Sequence, residues 1–240
     1  MMSDPRADLG RFYALLSRLE TTGIQGKSLA DLRERSCFPA RGVYFFREPG
    51  EFRASNSSVH RIVRVGTHAL KAGSRATLWN RLSAHRGTPA GGGNHRGSVF
   101  RLHVGAALLA REGRCVPTWG VGASAPPALR GSFSAKAEEA ACEEAVSRHI
   151  ASMTVLWVDV PDEPGPENSR AYIERNAIAL ASNVLMPMDP PSPNWLGHHS
   201  PKEKIRRSGL WNLNHVDESY DPQFLHILER AVNLTCDVLG

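Results

Sequence analysis

Gly42-Val43-Tyr44, Arg64-Val65-Gly66 and Leu78-Trp79-Asn80-Arg81-Leu82-Ser83-Ala84-His85 all fall between Arg41 and Arg86, and the reading of this stretch decides the fold. Gly42 to Arg47 is β-branched and aromatic and runs into Pro49-Gly50, which predicts a strand ending in a turn. Glu51 to Ser58 is polar and predicts a loop. His60 to Thr67 alternates, with Ile62 and Val65 as apolar anchors, and predicts a second strand antiparallel to the first. Ser74 then caps a helix to about His85, which Arg86-Gly87-Thr88-Pro89 stops. Leu78 and Leu82 mark its apolar face, and at about 100° per residue Arg81 and His85 fall beside that face, so both point toward the body. Two strands bearing a tyrosine and an arginine thus meet a helix bearing an arginine and a histidine.

This stretch is also the electrostatic centre of the chain. Between Glu51 and Glu112 lie 60 residues without one Asp or Glu, where 24 acids in 240 residues would place about six. The same span holds ten Lys or Arg and five His. An acid-free, arginine-loaded surface is the footprint of a phosphate-backbone partner. Net charge over the whole chain is only +5, because Glu138 to Glu144 and Asp159 to Glu167 are acidic. A length of 240 residues allows one good core with extensions, or two small ones. Cys37, Cys115, Cys142 and Cys236 have no short spacing, which argues against a zinc site of paired cysteines and against a disulfide framework. Reduced thiols, a polar N-terminus and no long apolar run predict a cytoplasmic protein without a membrane segment.

Elsewhere the chain alternates helices and loops. Asp4-Pro5 opens a helix to about Glu20, with Leu9, Phe12, Leu16 and Leu19 at helical spacing. Ser28-Leu29-Ala30-Asp31 predicts a short second helix ending before Pro39. Ala90 to Gly97 is glycine-rich with a basic tip and suits close approach to a phosphate, or a plain connector. Ser98 begins a helix through Leu108, with strand as the alternative, and Arg114 to Gly131 predicts a loop. Ala135 to Ile150 predicts a helix whose Glu138, Glu139, Glu143 and Glu144 form a solvated face. Thr154 to Val160 predicts a central buried strand, and Glu167 to Ser182 a helix. Glu174 lies at the border of that helix's apolar face, where a carboxylate wants a cation, an arginine or a metal. A salt bridge with Arg170 or an outward Glu174 remains open. The last stretch carries Trp195 and Trp211 among basic residues, as a nucleic-acid surface or a small core, and an amphipathic helix over Pro222 to Leu234.

In order and type, Gly42-Val43-Tyr44, Arg64-Val65-Gly66, Arg81 and His85 four apart, Glu174 and Asn183-Val184-Leu185 resemble the GIY-YIG nuclease superfamily. The resemblance covers about Arg41 to Met186. It implies an α+β fold, a small, mainly antiparallel three-stranded sheet flanked by helices. On it the chain divides into a helical N-terminal arm (1–40), a nuclease domain (41–186) with a helical insertion at about 86–153, and a C-terminal extension (187–240). The implied activity is metal-dependent hydrolysis of DNA phosphodiester bonds by a stand-alone, restriction-endonuclease-like member, with Mg²⁺ or Mn²⁺ as cofactor. Tyr44 would act on the attacking water. A phenol titrates at about 10, so action near neutrality needs positive charge close by, which Arg64 and Arg81 supply. Arg81 would hold the scissile phosphate, His85 would relay the proton or serve as the base itself, Glu174 would bind the metal, and Asn183 would order the metal-side loop. Asn94, His95, Arg96, Arg206, Arg207, Asn212 and Asn214 are the candidate nucleic-acid contacts. The chain departs from the pattern at Arg64, where the second motif normally carries tyrosine. That departure sustains an alternative, a catalytically silent nucleic-acid-binding module that keeps the fold. A basic protein–protein adaptor would show no salt-sensitive DNA binding. With one active site per chain, the protein acts as a monomer or a homodimer.

Overall fold

Three antiparallel strands form the centre of the molecule, a computed structural model that describes residues 4–122, 132–165 and 168–239. The predicted loop Arg114 to Gly131 lies outside the described residues from 123 onward, as does Glu167, where the sequence starts its next helix. The strands are β1 (Gly42–Arg53), β2 (Asn56–Gly66) and β3 (Thr154–Asp159), in the order β2-β1-β3. β1 is therefore central and β3 is an edge, contrary to the reading of Thr154 to Val160 as the central strand. β3 reads as central because side chains on both its faces are covered (Val155, Leu156, Trp157 and Val158 are fully buried). Its outer edge is closed by the segment before β1. Gly26 N–H bonds Val155 C=O, Val155 N–H bonds Lys27 C=O, and Leu29 N–H bonds Met153 C=O. Ser28 bridges Thr154 there, so the helix predicted from Ser28 reduces to one 3₁₀ turn at Arg35–Cys37. An exposed edge is a pairing hazard, and closing it outweighed a weak helical signal.

The β1–β2 hairpin is longer than the sequence predicts. β1 continues through Pro49-Gly50, where Gly50 takes φ 85, and the turn narrows to Ala54-Ser55. Phe46 pairs with Arg64 but Arg47 pairs with Ile62, which leaves Val63 as an extra residue in a β-bulge. Side chains switch faces at every residue, so the bulge brings Arg64 to the face that carries Tyr44 and Phe46.

Each face of the sheet is covered by its own layer. Val43 and Phe45 face α1 (Pro5–Glu20), α5 (Ser169–Ala181) and α7 (Phe224–Leu239). Phe12 of α1 meets Phe45 edge-on at 5.8 Å, and both chain ends thus close one side of the core. Tyr44 and Phe46 face α2 (Leu78–Arg86), α3 (Val99–Arg111) and α4 (Phe133–Ala151). α2 is capped by Thr77 in a reciprocal box with Asn80, not by Ser74. Trp195 and Trp211, flanking α6 (Glu203–Ser208), complete this layer, and both indoles donate to the buried Glu48 carboxylate at 3.0 and 3.1 Å.

Two acids of α4 do not belong to a solvated face: Glu139 is part-buried against Arg96, and Glu143 is enclosed. Glu143 is buried and receives Arg101 Nε at 3.0 Å and Nη2 at 2.5 Å, together with His95 Nδ1 at 2.9 Å and the His95 backbone N–H at 2.5 Å. Burial alone would raise its pKa, but the bonds from His95 and Arg101 outweigh it and hold the carboxyl below the usual range. The glycine-rich loop wraps this pair: a side chain on Gly93 would overlap the Arg101 guanidinium, and Gly92 C=O accepts from Ser147 Oγ. The loop therefore seals a buried ion pair. Removing one partner strands the other charge, so Glu143→Ala is expected to lower the unfolding free energy by roughly 3–5 kcal/mol. The double variant Arg101→Met/Glu143→Leu is expected to recover most of that loss. Urea denaturation of the three proteins measures both, and a cost near zero for Glu143→Ala would dismiss the network as structural.

Candidate active site

Gly66 is the position from which the site is built. A side chain there would overlap the Tyr44 hydroxyl and ring, so only glycine lets the phenol lie against the β2 backbone. Tyr44 is thereby turned toward α2, and its hydroxyl meets His85 Nε2 at 2.8 Å. His85 Nδ1 meets Ser98 Oγ at 2.7 Å. Ser98 is the N-cap of α3 and also accepts the Arg101 N–H at 3.3 Å. Phe46 and Phe100 pack edge-on against the imidazole, at 6.2 and 5.4 Å between ring centres. A continuous chain, phenol to imidazole to hydroxyl, thus runs through a dry pocket in which Tyr44 and His85 are both 0 % exposed.

Burial first, and then the charges of Arg64, Arg81 and Arg101, hold the His85 pKa well below the usual imidazole value. The ring is neutral near pH 7, with one N–H and one lone pair. With the proton on Nδ1, His85 donates to Ser98 and its Nε2 accepts from the phenol.

Two guanidinium groups flank this chain. Arg64 crosses the Phe100 ring at 4.7 Å and donates from Nη1 to the Trp211 carbonyl at 2.8 Å, while its Nε is buried without an acceptor. Arg81 makes no ion pair among the described residues, and its Nε is likewise buried and unmet. Glu174 is the carboxylate between them. It lies on α5, accepts the Thr67 N–H on Oε1 at 3.1 Å, and accepts no hydrogen bond on Oε2 among the described residues. Burial raises its pKa above the carboxylate norm, against the opposing pull of Arg64, the Thr67 N–H, His215 and Arg81. Arg170, the salt-bridge partner the sequence left open, is bound instead to Asp162 and to the His68 carbonyl.

Among the described residues no group of three or more His, Cys, Asp or Glu is placed to hold a metal. One carboxylate with a free oxygen still fits a hard divalent cation of the Mg²⁺ type, which keeps several waters and takes the rest of its shell from substrate phosphate.

Four predicted residues are therefore brought together with Tyr44: Arg64, Arg81, His85 and Glu174. Asn183 stands apart from them. Its amide binds the Asp189 carbonyl at 2.9 Å and the Ser208 carbonyl at 3.0 Å, and its Oδ1 accepts the Asp189 N–H at 3.0 Å, which ties the loop after α5 to the end of α6. Three of the proposed nucleic-acid contacts are already spent inside the protein. His95 is buried against Glu143 and stacks on Trp119 at 3.9 Å. Arg96 is paired with Glu139 at 2.5 Å. Asn212 lies along the open edge of β2, where its amide accepts the Val65 N–H at 3.1 Å and donates to the Val65 C=O at 2.8 Å. A primary amide reproduces one residue of a strand, and that use of Asn212 removes it from base reading. Asn94, Arg206, Arg207 and Asn214 are exposed.

The sequence reading missed Ser98, Thr67, His103 and His215. Thr67 directly follows the second motif; it fixes Glu174 and donates from its hydroxyl to the Gly42 carbonyl at 2.8 Å. His103, on α3 beyond Ser98, is buried, and burial first, then the charges of Arg64 and Lys202, bring its pKa down to about 4. His215 takes φ 63, rare for a side-chain-bearing residue, and pairs with Glu218 at 2.8 Å. Ser98 carried a signal as the residue before an apolar helical run, but its partner His85 lies thirteen positions earlier on another helix.

The sequence model of the GIY-YIG domain matches residues 3–237 of this chain. No curated protein and no solved structure matches it.

The histidines set a pH dependence. His85 is held well below the imidazole norm, and His68 and His103 are each brought to about 4, so folded chains keep all three neutral where unfolded chains protonate them. Unfolding below about pH 6.5 then takes up protons, and stability falls as pH drops. The raised pKa values of Glu174 and Asp159 act in the opposite sense. Lower chemical stability at pH 5.5 than at pH 7.5 is expected, with the ¹⁵N ring signals of His85 still those of a neutral imidazole. Equal stability at both pH values, or a protonated His85 at pH 5.5, would contradict the assignment.

Proposed function

This chain belongs to the GIY-YIG family, and from that premise we propose that it is a metal-dependent endonuclease that hydrolyses DNA phosphodiester bonds. The observation that supports the reading best is the pair of buried guanidinium Nε–H groups, on Arg64 and Arg81, left without acceptors beside the Tyr44–His85–Ser98 chain. Buried donors normally have partners, and a phosphate diester supplies oxygens for both.

On this reading the scissile phosphate seats against Arg81 and Arg64, whose charges meet the negative charge that builds on its oxygens. The attacking water gives its proton to the Tyr44 oxygen as Tyr44 passes its own to His85 Nε2. The water oxygen forms the new bond to phosphorus, the bond to the leaving oxygen breaks, and that oxygen takes a proton from solvent. Glu174 would hold Mg²⁺ or Mn²⁺ through its free oxygen. A bound divalent ion would polarise the phosphate and stabilise the leaving oxygen. Gly66 and Thr67 position without reacting, the first by making room for the phenol and the second by fixing the carboxylate.

The complete burial of Tyr44 and His85 favours a second reading, a module that binds DNA and does not cut it. Cleavage of supercoiled plasmid with Mg²⁺, Mn²⁺ or EDTA decides between them. Metal-dependent cutting is expected in the wild type, with a loss of about 10²-fold or more in Tyr44→Phe, the scale of general acid–base catalysis. Glu174→Ala is expected to abolish cutting and keep DNA binding. Undiminished cutting by Glu174→Ala in Mg²⁺ would remove the metal from that carboxylate, and tight binding by a wild type that never cuts would establish the silent module.

A further inference from the structure

α2 has a second working face. His85 and Arg81 look into the active site, whereas Trp79, Ser83 and Arg86 share another side of the helix at i, i+4 and i+7 spacing. On that side lies a cleft of about 530 Å³ between α2, α4 and the segment before β1, lined by Arg33, Trp79, Arg86, Thr88 and Arg148 among others. Its size falls within the range of about 300–1,000 Å³ common to small-molecule sites. No acidic residue lines it.

The three arginines of this cleft take part in none of the protein's ion pairs among the described residues. Arg33 donates from Nε to the Ala30 carbonyl at 3.1 Å, and Arg86 from Nη1 to the Leu32 carbonyl at 2.6 Å. Each bond uses one N–H and leaves the rest of the fork to the cleft. Arg86 is also depressed in pKa by burial and then by the charge of Arg33, so the two like charges work against each other. Arg53, Arg61, Arg96 and Arg101 find carboxylates; here three guanidinium groups converge on an open cavity without one. Such a set is complementary to an anion.

The cleft also offers a flat surface. The Arg86 guanidinium lies over the half-buried Trp79 ring at 5.0 Å, and Phe38 braces the indole at 5.5 Å. Aromatic rings and guanidinium planes are the surfaces on which nucleobases stack. Inorganic anions make no use of them.

We propose that this cleft is a nucleotide site, which stacks a base on the Trp79–Arg86 pair and takes its phosphate among Arg33, Arg86 and Arg148. The site is separate from the Tyr44–His85 chain and goes beyond the proposed nuclease activity. The nucleotide comes either from a free nucleoside monophosphate or from a nucleotide displaced out of a bound strand; only the second source rests on the nuclease reading.

Calorimetric titration without divalent metal tests the site, with dAMP, deoxyadenosine and inorganic phosphate as probes. Wild type is compared with Arg33→Gln/Arg148→Gln, both exposed positions outside the core. One dAMP per chain is expected, bound at least about tenfold tighter than either deoxyadenosine or phosphate, with about a tenfold loss in the double variant. Phosphate binding as tightly as dAMP would overturn the base-stacking assignment, and dAMP binding indifferent to the double variant would overturn the site. Duplexes with and without one extrahelical adenine, bound to Glu174→Ala protein so that none is cut, separate the sources. A preference for the extrahelical duplex that the arginine variants erase assigns the strand, and dAMP binding without such a preference assigns the free nucleotide. Neither titration reads cleavage, so a failure of the nuclease reading leaves the dAMP result standing.

Discussion

A buried arginine needs an acceptor, and for 60 residues after Glu51 this chain supplies no carboxylate. The carboxylates come from outside the span. Asp189 holds Arg53, Glu51 holds Arg61, Glu139 holds Arg96 and Glu143 holds Arg101. These pairs join the hairpin to the loop after α5, and α3 and the glycine-rich loop to α4. The acids of α4 are thus the counter-charge of the preceding segment, folded back onto it. Counted this way, the basic span is less of a nucleic-acid surface than its composition implies. Among the described residues Arg64, Lys71, Arg75, Arg81 and Arg86 remain without a carboxylate, and Arg64, Arg81 and Arg86 occur where a phosphate ligand would have a use.

The same logic of unmet groups governs the sheet. A three-stranded sheet has two open edges, and both are closed by segments outside the stretch that carries the catalytic pattern. Residues 25–29 cover β3 with backbone bonds. Residues 209–212 cover β2: Gly209 C=O accepts from Arg61, Trp211 N–H bonds the Val63 C=O at 2.7 Å, and Asn212 completes the pairing at Val65. Trp211 C=O then takes Arg64. The segments before and after the stretch that resembles the nuclease motifs therefore hold the edges of the sheet and one arginine of the candidate site, in keeping with a family match that runs from residue 3 to residue 237.

What the sequence made legible follows from range. Tyr44, Arg81 and His85 sit on elements whose periodicity is local, and the inward turn of Arg81 and His85 follows from helical geometry alone. The sheet, its antiparallel hairpin and the helices at both chain ends were legible for the same reason. Features that depend on distant partners were not. Glu143 looks like its neighbours Glu139 and Glu144 until Arg101 arrives from 42 positions away. Asn212 reads as a polar loop residue near basic ones, because its role is to imitate a strand 147 positions earlier. The position of Arg64 depends on the bulge at Val63, and no local pattern announces a bulge.

Arg64 stands where the second motif of the family carries tyrosine, and the geometry gives that exchange a consequence on the nuclease reading. A fixed guanidinium beside the phosphate helps the charge that builds on its oxygens. The same charge, after burial itself, is the largest influence that disfavours an imidazolium at His85. An imidazole that accepts the Tyr44 proton in this pocket therefore cannot keep it at low cost. On the nuclease reading Ser98 would ease the conflict: its oxygen, 2.7 Å from Nδ1, can accept a hydrogen bond from the ring and lower the cost of the imidazolium formed when Nε2 takes the Tyr44 proton. The proton would return by way of the Tyr44 oxygen once the bond to the leaving oxygen has broken. On the same reading, arginine in place of tyrosine in the second motif would shift weight from a second phenol onto the N-cap of α3. A serine outside the family pattern would thereby support the imidazole on which that chemistry depends.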